Sequence, residues 1–137
     1  MPRRQSVYLD EFAHANPIPA ACRVGDVVMS GIITGRDAAT GRPAATLDEQ
    51  CSLVFQNLRA VVEAAGAGLD DVVKVTVWLA DRSDREALNR EWLAMFPDPA
   101  DRPARQAHPA ELGGGVLIAC DVTAVLPPTT GRDGGRP

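Results

Sequence analysis

From Ala20 onward the apolar positions fall into runs of two periods, two and 3.6, that replace one another along the chain. "AACRV" and "VVMSGII" flank Gly25-Asp26, a glycine-first pair suited to a two-residue hairpin turn. Gly31 falls inside the second of these strands, where a glycine weakens pairing and marks a bulge or a close backbone approach. "GRDAATGRP", from Gly35, reads as loop. The period then becomes helical over Leu47 to Ala65: Leu47, Cys51, Val54, Phe55, Leu58, Val61, Val62 and Ala65 share one stripe. Thr46 and Glu49 stand at capping-box spacing, and Gly66 is placed to end the helix. "DVVKVTVWLA" returns to period two, with Val73, Val75, Val77 and Leu79 on one face and Val72, Lys74, Thr76 and Trp78 on the other. A second helix is predicted over about Asp84 to Phe96, capped by Ser83 and Glu86, with Leu88, Trp92, Met95 and Phe96 inward and Pro97 as its stop. The last strand runs from Val116 to Leu126.

The order hairpin, helix, strand, helix, strands predicts an α+β fold: a mixed sheet with both helices packed on one face. The other face would then carry Val72, Trp78 and parts of the last strand. An apolar sheet face left uncovered marks an interface, so a homo-oligomer is expected. The chain is one domain over residues 1–126, with a loosely held segment at 1–15, from which Tyr8, Leu9 and Phe12 could dock on the body. The Pro- and Gly-rich stretch from Pro127 to Pro137 is expected to be disordered.

Composition narrows the chemistry. The 137 residues carry a formal net charge of −4, so no basic footprint speaks for nucleic acid. Cys22, Cys51 and Cys120 form no paired motif, and with only His14 and His108 beside them no metal site is expected. Unpatterned cysteines suit a reducing cytoplasm and a role as small core residues. The start lacks the apolar run of a signal peptide, and no run approaches membrane-spanning length.

"RPARQAHPAELGGG" sets Arg105 on a short segment between Pro103 and three glycines. The glycines lack the following Lys-Ser/Thr of a phosphate loop and read as a flexible turn into the last strand. Together "RVGDVVMSG", "QNLRAVVEAAGAGLDDVVKVTVWLAD", the segment around "ALN" and "RPAR" resemble the Rid family, the reactive intermediate deaminases of the RidA/YjgF group, over Pro17 to Leu126. The resemblance implies a chorismate-mutase-like (YjgF-type) fold, a homotrimer with ligand clefts between adjacent subunits, no cofactor, and hydrolysis of a reactive imine or enamine with release of ammonia. It also makes Arg105 the clamp for the carboxylate of a small ligand, a task that suits a planar, permanently charged guanidinium. Ser30, Gly31 and Ile32 match the strand that lines the family's cleft, and Asn89 matches its helix pattern, where a structural role is expected.

Two positions depart from the best-studied deaminases of the family. Pro17 is followed by Ile18 where they carry tyrosine, and Ala119 stands where their last strand carries the glutamate that positions water. Asp121 has the same strand parity as Ala119 and is the candidate water-handling acid. His108 is expected on the face opposite Arg105, Cys120 in the core, and Glu111 in a turn that could fold over the cleft mouth. Trp78 and Trp92 are spaced as packing residues. The leading reading is an imine/enamine deaminase for a carboxylate-bearing metabolite. The alternatives are a non-catalytic carboxylate-binding trimer and, more weakly, a ribonuclease.

Overall fold

A computed structural model of the chain describes residues 2–9 and 16–128. Phe12, His14 and most of the Pro/Gly-rich tail lie outside the described residues. The hairpin forms as the turn chemistry dictates: β2 (Ala21–Val24) and β3 (Val27–Ser30) pair antiparallel across Gly25-Asp26, and Gly25 takes φ 59°. The expectation of a loosely held start gives way at Arg4–Val7, which form β1 and pair with β2 from Arg4↔Val24 to Val7↔Ala21. Its side chains are mostly exposed, so the burial pattern that betrays a strand in sequence is missing there.

Gly31 lies beyond β3, between it and a second short strand, β4 (Ile33–Thr34), which the loop reading of Gly35 onward correctly leaves intact. Both pair with β7 (Ile118–Val125), Met29 opposite Thr123 and Ile33 opposite Cys120. Four steps on one strand thus face three on the other, which is a bulge at Ser30-Gly31-Ile32. The Ser30 hydroxyl fills the interrupted ladder: it accepts from Val122 N–H at 2.9 Å and donates to Gly31 C=O at 2.8 Å.

Helix α1 (Leu47–Ala64) carries the cap read from sequence, with Glu49 N–H donating to Thr46 Oγ1. It ends in a Schellman motif: Gly66 at φ 90°, Gly66 N–H to Glu63 C=O and Ala67 N–H to Val62 C=O. Helix α2 (Glu86–Met95) begins later than expected and has no side-chain cap. Ser83 is occupied elsewhere, since its backbone N–H and its hydroxyl both donate to Asp81 Oδ1.

The sheet order is β1-β2-β3-β7-β5-β6, with β4 also against β7; β5 (Val72–Leu79) runs parallel to the edge strand β6 (Ala104–Pro109) and antiparallel to β7. Val75, Val77 and Leu79 face the helices and are buried. The face assignment fails at the start of β5. Val72 pairs with Ala124 and Lys74 with Thr123, so Val73 is an extra residue. That bulge turns Val72 into the core and leaves Val73 half exposed, the reverse of strict alternation. The core is one cluster of Val28, Leu58, Val62, Leu88, Ile118, Val122 and their neighbours between sheet and helices. The opposite face exposes Val27, Met29, Ile32 and Val125, with Val27 directly opposite Val125.

Among the described residues Gln50 is the one buried polar side chain, and it lies beside this core. Its amide donates to Ala44 C=O and Gly115 C=O, and its oxygen accepts from Leu117 N–H, each at 2.8 Å. Gly113, Gly114 and Gly115 have φ of 71°, 59° and 81°, a left-handed run that glycine adopts without penalty. The triple glycine is therefore a turn pinned from α1 rather than a loose hinge. Among the described residues no helix is long and apolar enough to cross a membrane.

Candidate functional site

Arg105 sits on β6 opposite Val75, and so on the helix-facing side of the sheet. Pro103 leads the chain into this strand, whose outer edge pairs with no other strand among the described residues. Helix α2 reaches the guanidinium from two points one turn apart. Asn89 Oδ1 accepts from Arg105 Nη2 at 2.9 Å, and the Trp92 ring lies under the guanidinium, 5.0 Å from its centroid. Arg105 Nη1 is buried and has no hydrogen-bond partner among the described residues. A buried donor left open is uncommon and calls for an acceptor.

Arg105 also lines a cleft of about 390 Å³, together with Arg82, Arg85, Gln106, Ala107, His108 and Pro109. Burial lowers the pKa of Arg105, and the nearby Arg85 charge lowers it further. The guanidinium nevertheless stays protonated at physiological pH, because its intrinsic pKa is so high. Asn89, expected in a structural role, is bonded instead to Arg105 beside the cleft. Trp92 packs, as expected, against Phe96 with centroids 4.9 Å apart, and it also stacks on the charge. Arg82 and Arg85 have no counterpart among the residues singled out from sequence. Their pairing with Arg105 arises from the return of β6 beside β5, which no local pattern announces.

Apart from His108, which also lines the cleft, the remaining candidates lie elsewhere. Ala119 pairs with Trp78 and Thr34 on the sheet face away from the helices, where it is 1% exposed. Asp121 is on that same face, opposite Thr76. Partial burial raises its pKa, and Lys74 opposes the rise. The Ser30-Gly31-Ile32 bulge lies along the same strand pair, with Ile32 exposed. A Cβ on Gly31 would meet only Pro19 and Ala20 carbonyl oxygens, at 3.6 and 3.8 Å, an ordinary contact. Within one copy of the chain, Ile32, Ala119 and Asp121 therefore occupy one face and Arg105 the other, whereas Ser30 stands opposite the core residue Ala21 with the parity of buried Val28. His108 pairs with Trp78, opposite in facing to Arg105 as its spacing predicts, and its ring lies 6.4 Å from the Trp78 ring. Glu111 is exposed in the turn before the glycines.

The cysteines are free thiols, Cys51 and Cys120 buried and Cys22 partly so. Burial pushes the Cys51 thiol up to about 12 and that of Cys120 higher still, with Asp121 adding to the latter. Neither forms a nucleophilic thiolate at neutral pH. Among the described residues no group of three or more His, Cys, Asp or Glu is placed to hold a metal ion.

Comparison with known proteins gives one consistent picture. The family profile described as Endoribonuclease L-PSP matches residues 6–126. A RutC family protein of Pyrococcus abyssi is 34% identical over 110 residues, covering 79% of this chain and 85% of that one. The 2-iminobutanoate/2-iminopropanoate deaminase of Salmonella typhimurium is 31% identical over 115 residues, covering 82% and 90%. Among solved structures, RidA from an Antarctic Psychrobacter superposes with a TM-score of 0.81 at 31% identity, covering 89% of this chain and 99% of that one.

Proposed function

The chain belongs to the Rid (RidA/YjgF) family, and from that premise we propose that it is a cofactor-independent imine/enamine deaminase acting on a small carboxylate-bearing reactive metabolite. The observation that carries this reading is Arg105, a cleft-lining arginine whose Nη1 is buried without a partner among the described residues. A substrate carboxylate supplies the missing acceptor, and Asn89 and Trp92 hold the guanidinium in the plane that meets it. Water then adds to the carbon of the C=N bond, a proton passes to nitrogen, ammonia leaves, and a carbonyl remains. Imines hydrolyse readily, so holding the substrate beside a positioned water supplies much of the acceleration.

In this reading the site is completed by a neighbouring copy in a homotrimer. Arg105 comes from one subunit. Ile32, Ala119 and Asp121 come from the opposite sheet face of the next, with Ser30 and Gly31 in the bulge beside them. Two features support it: the exposed apolar side chains of Val27, Met29, Ile32 and Val125, and the unpaired edge of β6. A trimeric mass in light scattering is expected, and a monomeric mass at micromolar concentration would overturn the shared site. Free thiols fit a reducing, cytoplasmic setting.

Asp121 is the candidate for handling the water, because Ala119 has no group to do so. The buried Ala119 methyl also favours a second reading, a trimer that binds small carboxylates without turning them over. Ligand-dependent thermal shifts with no ammonia released would select that alternative. The weaker ribonuclease reading draws on the family's label alone, and a gel assay at low salt checks it. The direct test of the leading reading is ammonia release from freshly generated imino acids. Arg105→Ala is expected to lower kcat/KM by about 10- to 100-fold, the range for a lost charged hydrogen bond. Equal rates for both proteins would remove Arg105 from the chemistry.

A further inference from the structure

The Arg105 cleft holds more positive charge than one carboxylate needs. Arg82 and Arg85 line it beside Arg105, and among the described residues none of the three is ion-paired. The nearby acids are turned away or engaged. Asp81 accepts from both the N–H and the hydroxyl of Ser83. Asp84 and Glu86 line a separate cleft with Asp48 and Arg90. Arg85 is also anchored: its Nε donates to Arg82 C=O at 3.0 Å, and no other hydrogen bond of its guanidinium is recorded among the described residues. Arg85 is half-buried, and its charge is felt at Arg105. Three like charges therefore face one cavity in a protein whose net charge is −4. Guanidinium groups do not relieve such crowding by releasing protons. Anionic groups from a ligand do.

We propose that the Arg82/Arg85/Arg105 cleft takes a small ligand with two anionic groups, one held by Arg105 and the second by Arg85 with Arg82. This rests on the reading of Arg105 as the anion clamp and narrows its substrate class to dianionic imino acids. The second group is a carboxylate or a phosphate, and the test separates the two.

Calorimetric titration at fixed ionic strength compares propionate with succinate and with phosphoglycolate, using the wild type, Arg105→Ala and an Arg82→Ala/Arg85→Ala double variant. The dianions are expected to bind the wild type at least about tenfold more tightly than propionate. The better of succinate and phosphoglycolate identifies the second group. The double variant is expected to bring the ratio of dianion to propionate affinity near one, while Arg105→Ala weakens all three ligands. Arg59→Ala, on an exposed position of α1, controls for the overall loss of charge and should preserve the ratio. Equal wild-type affinities for propionate and both dianions would overturn the proposal, as would a double variant that keeps the wild-type ratio or an Arg59→Ala variant that loses it. Binding does not require turnover, so a dianion preference without ammonia release leaves this proposal standing and removes the deaminase reading instead.

Discussion

Asn89 Oδ1 lies 2.9 Å from Arg105 Nη2, a bond that ties helix α2 to the edge strand, while the other terminal nitrogen of the guanidinium is buried without a hydrogen-bond partner among the described residues. The orientation of Arg105 thus depends on a neutral side chain that adds no charge of its own. Asn89→Ala should loosen the guanidinium and weaken carboxylate binding about three- to tenfold, less than removal of Arg105 itself. Asn89→Asp should be worse for binding, because a carboxylate at that place pairs with Arg105 and competes with the ligand. Calorimetry on the two variants checks the order. Binding by Asn89→Asp equal to that of wild type would contradict it.

The Ser30 hydroxyl completes the ladder at the bulge. Ser30→Ala leaves Val122 N–H without its acceptor in the middle of the sheet. The expected cost is about 1–3 kcal/mol in denaturant unfolding, the range for a buried donor left unsatisfied. Faster amide exchange at Val122 than at its strand neighbours would localise the effect.

Two glycines should respond differently to alanine. A Cβ at Gly35 would lie 2.6 Å from Gln50 Cα and closer still to the Gln50 carbonyl oxygen. Backbone cannot step aside there, because Gln50 pins the turn before β7. Gly35→Ala should therefore cost at least about 2 kcal/mol of stability. Gly31→Ala meets only ordinary contacts within its own chain and should unfold at a denaturant midpoint close to that of wild type. A large drop in binding or assembly with unchanged monomer stability would mark Gly31 as a place of close approach by a ligand or a second copy.

Asp121 gives the fold a pH dependence of definite sign. Partial burial raises its pKa in the folded state, so the native protein binds this proton more tightly than the unfolded chain does. Stability from this group is fully present below the ordinary carboxylate value of 3.8 and is lost as pH rises through the folded-state pKa. Asp121→Asn removes that loss. Its Tm should equal or exceed the wild-type value at pH 7, and the difference should shrink on acidification. A variant clearly less stable than wild type at pH 7 would show that the carboxylate makes a favourable interaction that Lys74 alone does not account for.

What the sequence discloses and what it hides divide along one physical line. Local signals survive intact: Thr46 and Gly66 bracket α1, Gly25-Asp26 turns the hairpin, and Val75, Val77 and Leu79 face inward. The strand face fails only where an extra residue enters, at Val72-Val73, because a bulge shifts parity without altering composition. Ser83 looks like a helix cap because its spacing is right, but the adjacent Asp81 competes for it over a shorter loop. The site follows the same rule. Arg105 is singled out by the family resemblance that its "RPAR" segment helps to carry, whereas Arg82 and Arg85 join it only through the parallel return of β6 beside β5. Ala119 is found as an absence, but its distance in facing from Arg105 is a property of the sheet, not of either residue's neighbours.

The stacking of Arg105 on Trp92 also gives the protein an optical reporter. The chain has only two tryptophans, and Trp78 is on the other side of the sheet. With Trp78 replaced by phenylalanine, all indole emission comes from a ring 5.0 Å beneath the charge that a ligand would neutralise. Anion occupancy can then be followed as a spectral shift in unlabelled protein, in real time and on colourless ligands.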